Sequence, residues 1–297
     1  MLEKVRNFIP PFLFRWYRGF RKRAFHHALE KAAKTQNLRS TEQLIAELEA
    51  AGVKRGDHLM VHASLSKIGF LEFGAQTLVD ALKKCVGYEG IILMPTSPIA
   101  TLQFDYVRQN PTFDVMNTPS AMGAVSEYFR KSERVKRSLH PTEPVAAWGE
   151  NSNDYIKDHA LKETPYHWDS PYGKLIQNKG KILYIGVKLS NAGTHLHTLE
   201  DAFDVGVPVY ADEVFNLKVI TEDKAELWVR TKVHNPVYSL KRRCDELFPL
   251  FLAHNACFQT KIGSAATWVF DAEAMFETMK AAFVNKGVTM YKPQGDL

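Results

Sequence analysis

"STEQLIAELEAAGVKRGDHLMVHASL", residues 40–65, changes its apolar period halfway along. Leu44, Ile45 and Leu48 keep a 3.6-residue spacing behind Ser40 or Thr41, either of which can cap a helix, and Gly52 ends it. "HLMVH" then reads as a short, mostly apolar strand. The alternation continues: "QTLVDALKKCVG" places Leu78, Ala81, Leu82 and Cys85 on one helical face, and "GIILMP" and "KILYIGV" are apolar runs bounded by Gly or Pro. Strands that are apolar throughout are covered on both faces. Helices alternating with such strands predict an α/β fold: a mixed, largely parallel central sheet with helices on both faces. "VFNLKVITEDKAELWVRTKV" reads as two strands around a "TEDK" turn, expected to give that sheet an antiparallel portion, and "DAEAMFETMKAAFVNKG" as a terminal amphipathic helix.

With 297 residues, 45% hydrophobic and 24% charged, the chain can bury a sizeable core. Residues 40–297 form one integrated domain in this reading, preceded by an arm at 1–39. In "FIPPFLFRWYRGFRKRAFHHALEKAAK", Pro11 is placed to open a helix on which Phe12, Trp16 and Phe20 recur four apart among Arg15, Arg18, Lys22 and Arg23. Such a stripe packs on the protein's own body or on a second subunit in a homodimer; the alternative is peripheral contact with an anionic membrane surface. Cys85, Cys244 and Cys257 are odd in number, far apart and without CxxC spacing, which points to a reducing compartment. No secretory signal and no bilayer-length apolar run are visible, so a cytoplasmic location is expected. A net charge of +5 eases acceptance of an anionic ligand. Basic residues are dispersed and no recognition motif is present, which argues against nucleic acid.

Four segments can carry chemistry. In "VHASLSKIGF" a strand ends at His62 and delivers Ser64, Leu65 and Ser66 to the sheet's carboxyl edge, where open α/β folds bind ligands. Small hydroxyl residues with accessible N–H groups suit phosphate oxygens; the alternative is a simple strand-to-loop turn, for neither GxGxxG nor a P-loop is present. "MPTSP" ends a second strand and places Thr96 at the same edge if the two strands are parallel neighbours. In "RVKRSLHPTEPVAAWG", Arg137, Ser138 and His140 make a polar wall for an anion, or a solvated loop. The fourth is "NAGTHLHTLED", residues 191–201. As a strand, His195 and His197 share a face and could share a metal. As a helix they diverge, and His197, Glu200 and Asp201 share a face instead. Gly193 and Thr194, a good N-cap, favour the helix. A neutral imidazole near a helix start, with Glu200 fixing its tautomer, is a competent general base; the alternative is a partly exposed helix start with no task.

Taken together, "GVKRGDHLMVHASLSKIGF", "GYEGIILMPT", "RSLHPT", "DSPYGKL", "GKILYIGV", "THLHTLED" and the later "KIGSAATWVFDAEAM" closely resemble the aminoglycoside 3-N-acetyltransferase family in order and spacing, from about residue 40 to the end. The resemblance implies the antibiotic N-acetyltransferase fold, distinct from GNAT enzymes, and direct transfer from acetyl-CoA to an amine, with no metal. It implies His197 as the catalytic base with Glu200 one turn later. His62, Ser64, Leu65, Ser66, Thr96, Arg137 and Ser138 are then expected to hold coenzyme A. His140, Trp168, Asp169 and Ser170 are expected near the acceptor. The amine must lose a proton as it attacks the thioester, and backbone donors must hold the developing oxyanion. No cysteine lies in a family motif, which speaks against a covalent acyl-enzyme. Two departures stand out: Asn191 where an Asp is frequent, and Tyr166, His167 and Trp168 where a glycine is commoner. Such aromatics can stack a base or a sugar. With the positive charge, they favour a nucleotide-linked amino sugar of surface polysaccharide (O-antigen) synthesis as acceptor, with an aminoglycoside, and hence antibiotic resistance, as the alternative. A non-catalytic coenzyme-binding or membrane-associated module is the reading from another class.

Overall fold

The parallel alignment of three buried strands organises the computed structural model, which describes residues 38–295. Of the helical arm expected at residues 1–39, residues 1–37 lie outside that range. The strands are β1 His58–Ala63, β2 Ile91–Pro95, β3 Thr112–Asp114, β4 Lys136–Arg137, β5 Val145–Trp148, β6 Lys181–Ile185, β7 Tyr210–Ile220, β8 Glu226–His234, β9 Cys257–Ile262 and β10 Ala265–Asp271. Seven of them form a mixed sheet in the order β4-β5-β2-β1-β6-β10-β9. β1 runs parallel to both β2 and β6, and the outer strands are antiparallel.

Side chains alternate between two cores. Met60, Leu93, Ile182 and Tyr184 point into one, Leu59, Val61, Ile92, Met94, Leu183 and Ile185 into the other. All ten are at most 2% exposed, so both faces are covered, as uniformly apolar runs require. The Thr41–Ala50 and Ala75–Val86 helices close the second core, and Pro171–Gln177 and Ala272–Lys286 close the first. The first helix carries a capping box: the Ser40 hydroxyl accepts from Gln43 N–H while the Gln43 side chain accepts from Ser40 N–H. Gly52 follows it at φ 81°, a left-handed conformation that a side chain would strain.

One topological expectation is corrected. The strands around "TEDK" do pair antiparallel, but they form a second sheet with β3, in the order β3-β7-β8. The central sheet takes its antiparallel flanks from β4, β5, β9 and β10 instead. The reason is amphipathicity: along β8, buried Val229, Thr231 and Val233 alternate with residues that are more exposed. A half-covered hairpin suits a flanking sheet better than the middle of a two-sided one.

Leu183, fully buried between parallel β1 and antiparallel β10, reports on this arrangement. Leu183→Ala is expected to lower the unfolding free energy by about 3 kcal/mol, read from urea unfolding. A loss below about 1 kcal/mol would mean that the site is less tightly packed than the structure places it.

Candidate active site

Because β1, β2 and β6 are parallel, their carboxyl ends deliver Ser64, Thr96 and Gly186 to one edge of the sheet. The chain leaving β6 turns through Leu189–Ala192 and then winds through a 3-10 turn at Thr194–Leu196 into the helix His197–Ala202. The histidine motif is therefore helical, as the Gly193–Thr194 reading requires. Thr194, however, is not the N-cap: it begins the 3-10 turn, and its hydroxyl lies 3.4 Å from His62 Nε2. The two histidines diverge. His195 packs edge-on against Tyr172, with both ring nitrogens buried and unpartnered.

His197 and Glu200 form the centre. Nδ1 of His197 hydrogen-bonds Glu200 Oε2, both side chains being nearly inaccessible. Burial holds His197 well below the ordinary imidazole range, with Arg242 acting in the same direction. Burial pushes the Glu200 carboxyl up to about 7, against the pull of Arg242 and Tyr291. The imidazole is thus neutral at neutral pH and its orientation is set by the carboxylate. Asp201, the third acid of the motif, does other work: it accepts from the Tyr210 hydroxyl and from Tyr166 N–H. Tyr166 in turn packs 4.7 Å from the His197 ring, and His234 4.4 Å from it on the far end of β8.

His197, Tyr166 and His234 line a cavity of about 240 Å³ whose wall also includes Ser97, Gln103, Glu143, Arg242 and Cys244. Gln103 donates from Nε2 to Glu143 and accepts from His234 N–H, tying two of the wall residues together. Burial raises Glu143 to about 7. Cys244 is held as a thiol, pushed up to about 12 by burial, which makes it a poor nucleophile. Met122 and Asn191 are shared with a neighbouring cleft lined by His62 and Ala63, and with a wider one lined by Ser64, Leu65 and Ser66. The three cavities therefore lie side by side, from the Ser64–Ser66 loop, past His62 stacked on Tyr184, to His197.

The other expected site residues lie off this path. Thr96 is fully buried, its hydroxyl donating to Pro144 O and accepting from Arg137 Nε; its neighbour Ser97 takes the place on the cavity wall. Arg137 spends its guanidinium on Thr96, Val115 and Thr118 carbonyls, so it locks loops together and has little left for a phosphate. Ser138 bonds His159 Nδ1 and accepts from Val145 N–H. His140 stacks on His159 behind the wall, where its Nδ1 accepts from Glu143 N–H. Ser170 caps the Pro171–Gln177 helix by accepting from Gly173 N–H, Asp169 is exposed beside it, and Trp168 packs on Phe276. Of the bulky trio before "DSP", it is Tyr166 that reaches the cavity. Sequence reasoning missed Glu143, His234 and Arg242. Glu143 sits inside a stretch already marked as polar, and His234 ends a strand before an Asn-Pro turn, so both carried a signal; Arg242, in a basic run, carried none.

Among the described residues, His197, Glu200 and His234 are the group compact enough to surround a cation, with donor atoms within 4.8 Å of one another. Nδ1 and Oε2 already satisfy each other, however, and the pair reads as an oriented base. His195, the partner in the metal alternative, is not part of the group.

A buried neutral imidazole backed by a carboxylate, in a cleft on an α/β sheet edge, is an arrangement in which a base can deprotonate an incoming nucleophile. Comparison with known proteins gives the particular family. The family model described as aminoglycoside 3-N-acetyltransferase matches residues 60–284. The chain belongs to that family and is an N-acetyltransferase of a fold other than GNAT. It is 28% identical over 274 residues to the aminoglycoside N(3')-acetyltransferase-like protein YokD of Bacillus subtilis, covering 86% of this chain and 97% of that one. It is 33% identical to an aminoglycoside N(3)-acetyltransferase III of Salmonella over 178 residues, 56% of this chain and 62% of that relative. Among solved structures, YokD superposes with a TM-score of 0.69 at 27% identity over 84% of this chain and 94% of that one. A structure described as "AAC-IIIb binary with CoASH" also gives 0.69, at 25% identity over 81% of this chain and 94% of that one. Among the described residues no helix is long and apolar enough to cross a membrane.

The His197 ring signals in an NMR titration are expected to show no protonation midpoint between about pH 6 and 8, since burial favours the uncharged form. A midpoint near the ordinary value would show that the ring is solvated.

Proposed function

We propose that this chain transfers the acetyl group of acetyl-CoA to a primary amine of an amino sugar, with aminoglycosides as the acceptor class. The carrying observation is the row of adjoining cavities, sharing Met122 and Asn191, that reaches His197. Its outer half, with Ser64, Leu65, Ser66 and the side-chain-free backbone of Gly123 on its walls, suits a pantetheine arm. Its inner half holds the base. A solved relative bound to CoASH and the names of the curated relatives support this reading. The nucleotide-linked sugar expected from the sequence finds no support among those relatives, and the aminoglycoside alternative is the better supported of the two.

In the reaction, His197 Nε2 takes a proton from the acceptor nitrogen while Glu200 holds the Nδ1 proton. The freed lone pair attacks the acetyl carbonyl, an N–C bond forms, the C–S bond breaks, and the proton passes to the departing thiolate. Glu143, fixed by Gln103, faces the acceptor end of the cavity and provides a carboxyl for a second ammonium. The domain responsible is residues 40–297, with residues 1–39 as an accessory arm.

Thiol release from acetyl-CoA is expected to depend on an added amine such as sisomicin, and His197→Ala to lower that rate by roughly a hundredfold or more while coenzyme binding persists. Full activity in that variant would remove His197 from the mechanism, and no amine-dependent release by the wild type would favour a non-catalytic binding module. If the arm is only an anchor, deleting residues 1–39 leaves the rate unchanged and abolishes co-sedimentation with anionic vesicles; loss of folding shows that the arm packs on the body.

A further inference from the structure

Around the His197–Glu200 pair, several buried polar atoms lack a well-formed hydrogen bond: Glu200 Oε1, Arg242 Nε and Nη2, and the Tyr291 hydroxyl, although Tyr291 lies within interaction range of both other side chains. Orphaned groups of this kind are rare in folded proteins and ask for an explanation. They are not scattered. Arg243 N–H donates to Met290 O at 2.8 Å, and Cys244 Sγ contacts Met290 Sδ at 3.5 Å, so the segment carrying Arg242 is pinned beside the one carrying Tyr291. Arg242 shares the cavity wall with His197. Tyr291 is close enough to Arg242 and Glu200 to bear on the ionisation of both. The orphaned guanidinium nitrogens are inaccessible, which excludes them as a docking point for a ligand in the cavity. Their natural counterpart is the free oxygen of Glu200.

We propose that Arg242 and Tyr291 are positioning residues of the catalytic pair: they face Glu200 Oε1, keep that carboxyl charged, and so keep the His197 imidazole aimed at the acceptor nitrogen. The assignment rests on the acetyltransferase reading only for its kinetic consequence. The remaining groups around the carboxyl are His197, which bonds its other oxygen, His234 on β8, Asp201 one residue on, Tyr210 on β7 and Cys244. Of these seven neighbours Arg242 is the permanent cation. Asp201, itself raised to about 6, opposes the charge on Glu200, and the tyrosines and thiol are neutral at pH 7. Removing the guanidinium therefore leaves only Tyr291 to oppose burial, and the carboxyl holds its proton to higher pH.

The test is the pH profile of kcat/KM for the full chain with acetyl-CoA and sisomicin. In Arg242→Gln the acidic limb is expected to move up by about one to two pH units, which lowers the rate about tenfold at pH 7 and restores it toward wild type near pH 9. Arg242→Lys, which keeps the charge, should lie between the two, and Tyr291→Phe should shift the limb in the same direction by less. A profile that falls uniformly at every pH, or does not change, would overturn the proposal, since lost packing has no reason to recover with alkali. If the wild type releases no thiol, the transferase reading fails separately. The positioning role is then read from the Glu200 carboxyl carbon by NMR: a midpoint unchanged in Arg242→Gln sinks it, and an upward shift supports it.

Discussion

The parallel pairing of β1 with β6 is the constraint from which the rest follows. It sets Leu59 to Ala63 beside Lys181 to Ile185 in register, so the chain must leave both strands at the same edge. One exit makes the Ser64–Ser66 loop, the other makes the segment that winds into His197. Antiparallel pairing would send one of these to the opposite edge, and the cavities beside them could not adjoin. The flanking antiparallel strands carry no such duty; they extend the sheet and close its cores.

Within that frame, desolvation does the chemical tuning. Immersing an imidazole in low dielectric disfavours its charged form, and the same immersion disfavours a charged carboxylate. His197 and Glu200 are pushed in opposite directions on the pH scale, toward neutrality in both cases. Only the first of these serves a base. A proton-accepting imidazole needs its other nitrogen held by an acceptor, and a carboxylate holds it better than a carboxylic acid does. The burial that prepares the histidine thus works against its partner, and a nearby cation reconciles the two demands.

Much of this was legible from residues in order. The switch from 3.6 to a continuous apolar run at His58 marked the first helix and strand, and the Gly193–Thr194 break marked the motif as helical, which separated His195 from His197. Such signals are local, written in period and capping. What was not legible was non-local. Thr96, Arg137 and Ser138 stand at the correct strand ends, but whether a buried polar side chain faces a cleft or a neighbouring carbonyl depends on loops far along the chain. Arg137 meets Val115 and Thr118, residues that nothing in its own stretch announces. The hairpin of β7 and β8 was legible as a pair, and its partner β3, about one hundred residues earlier, was not. His234 reaches the site only because that second sheet docks there.

The aromatic shell explains how a site with so many buried polar atoms can stay ordered. An unsatisfied buried donor or acceptor costs about 1–3 kcal/mol, so hydrogen bonds alone do not hold this cavity's lining in one arrangement. Rings do much of it. Tyr210 and Tyr166 stack on His234 at 5.3 and 5.7 Å, and Tyr166 also packs on His197, so each imidazole is confined by planar neighbours on its faces. Stacking fixes the tilt of a ring while leaving its in-plane nitrogens uncommitted, which is what a residue that must exchange a proton requires. Asp201 anchors the shell at both tyrosines, through the Tyr210 hydroxyl and the Tyr166 backbone. The acid that was expected to share the face of the catalytic histidine instead secures the rings that hold it. The hydrogen bonds from Tyr210 and Tyr166 favour the charged form of Asp201 against burial, which raises that carboxyl to about 6.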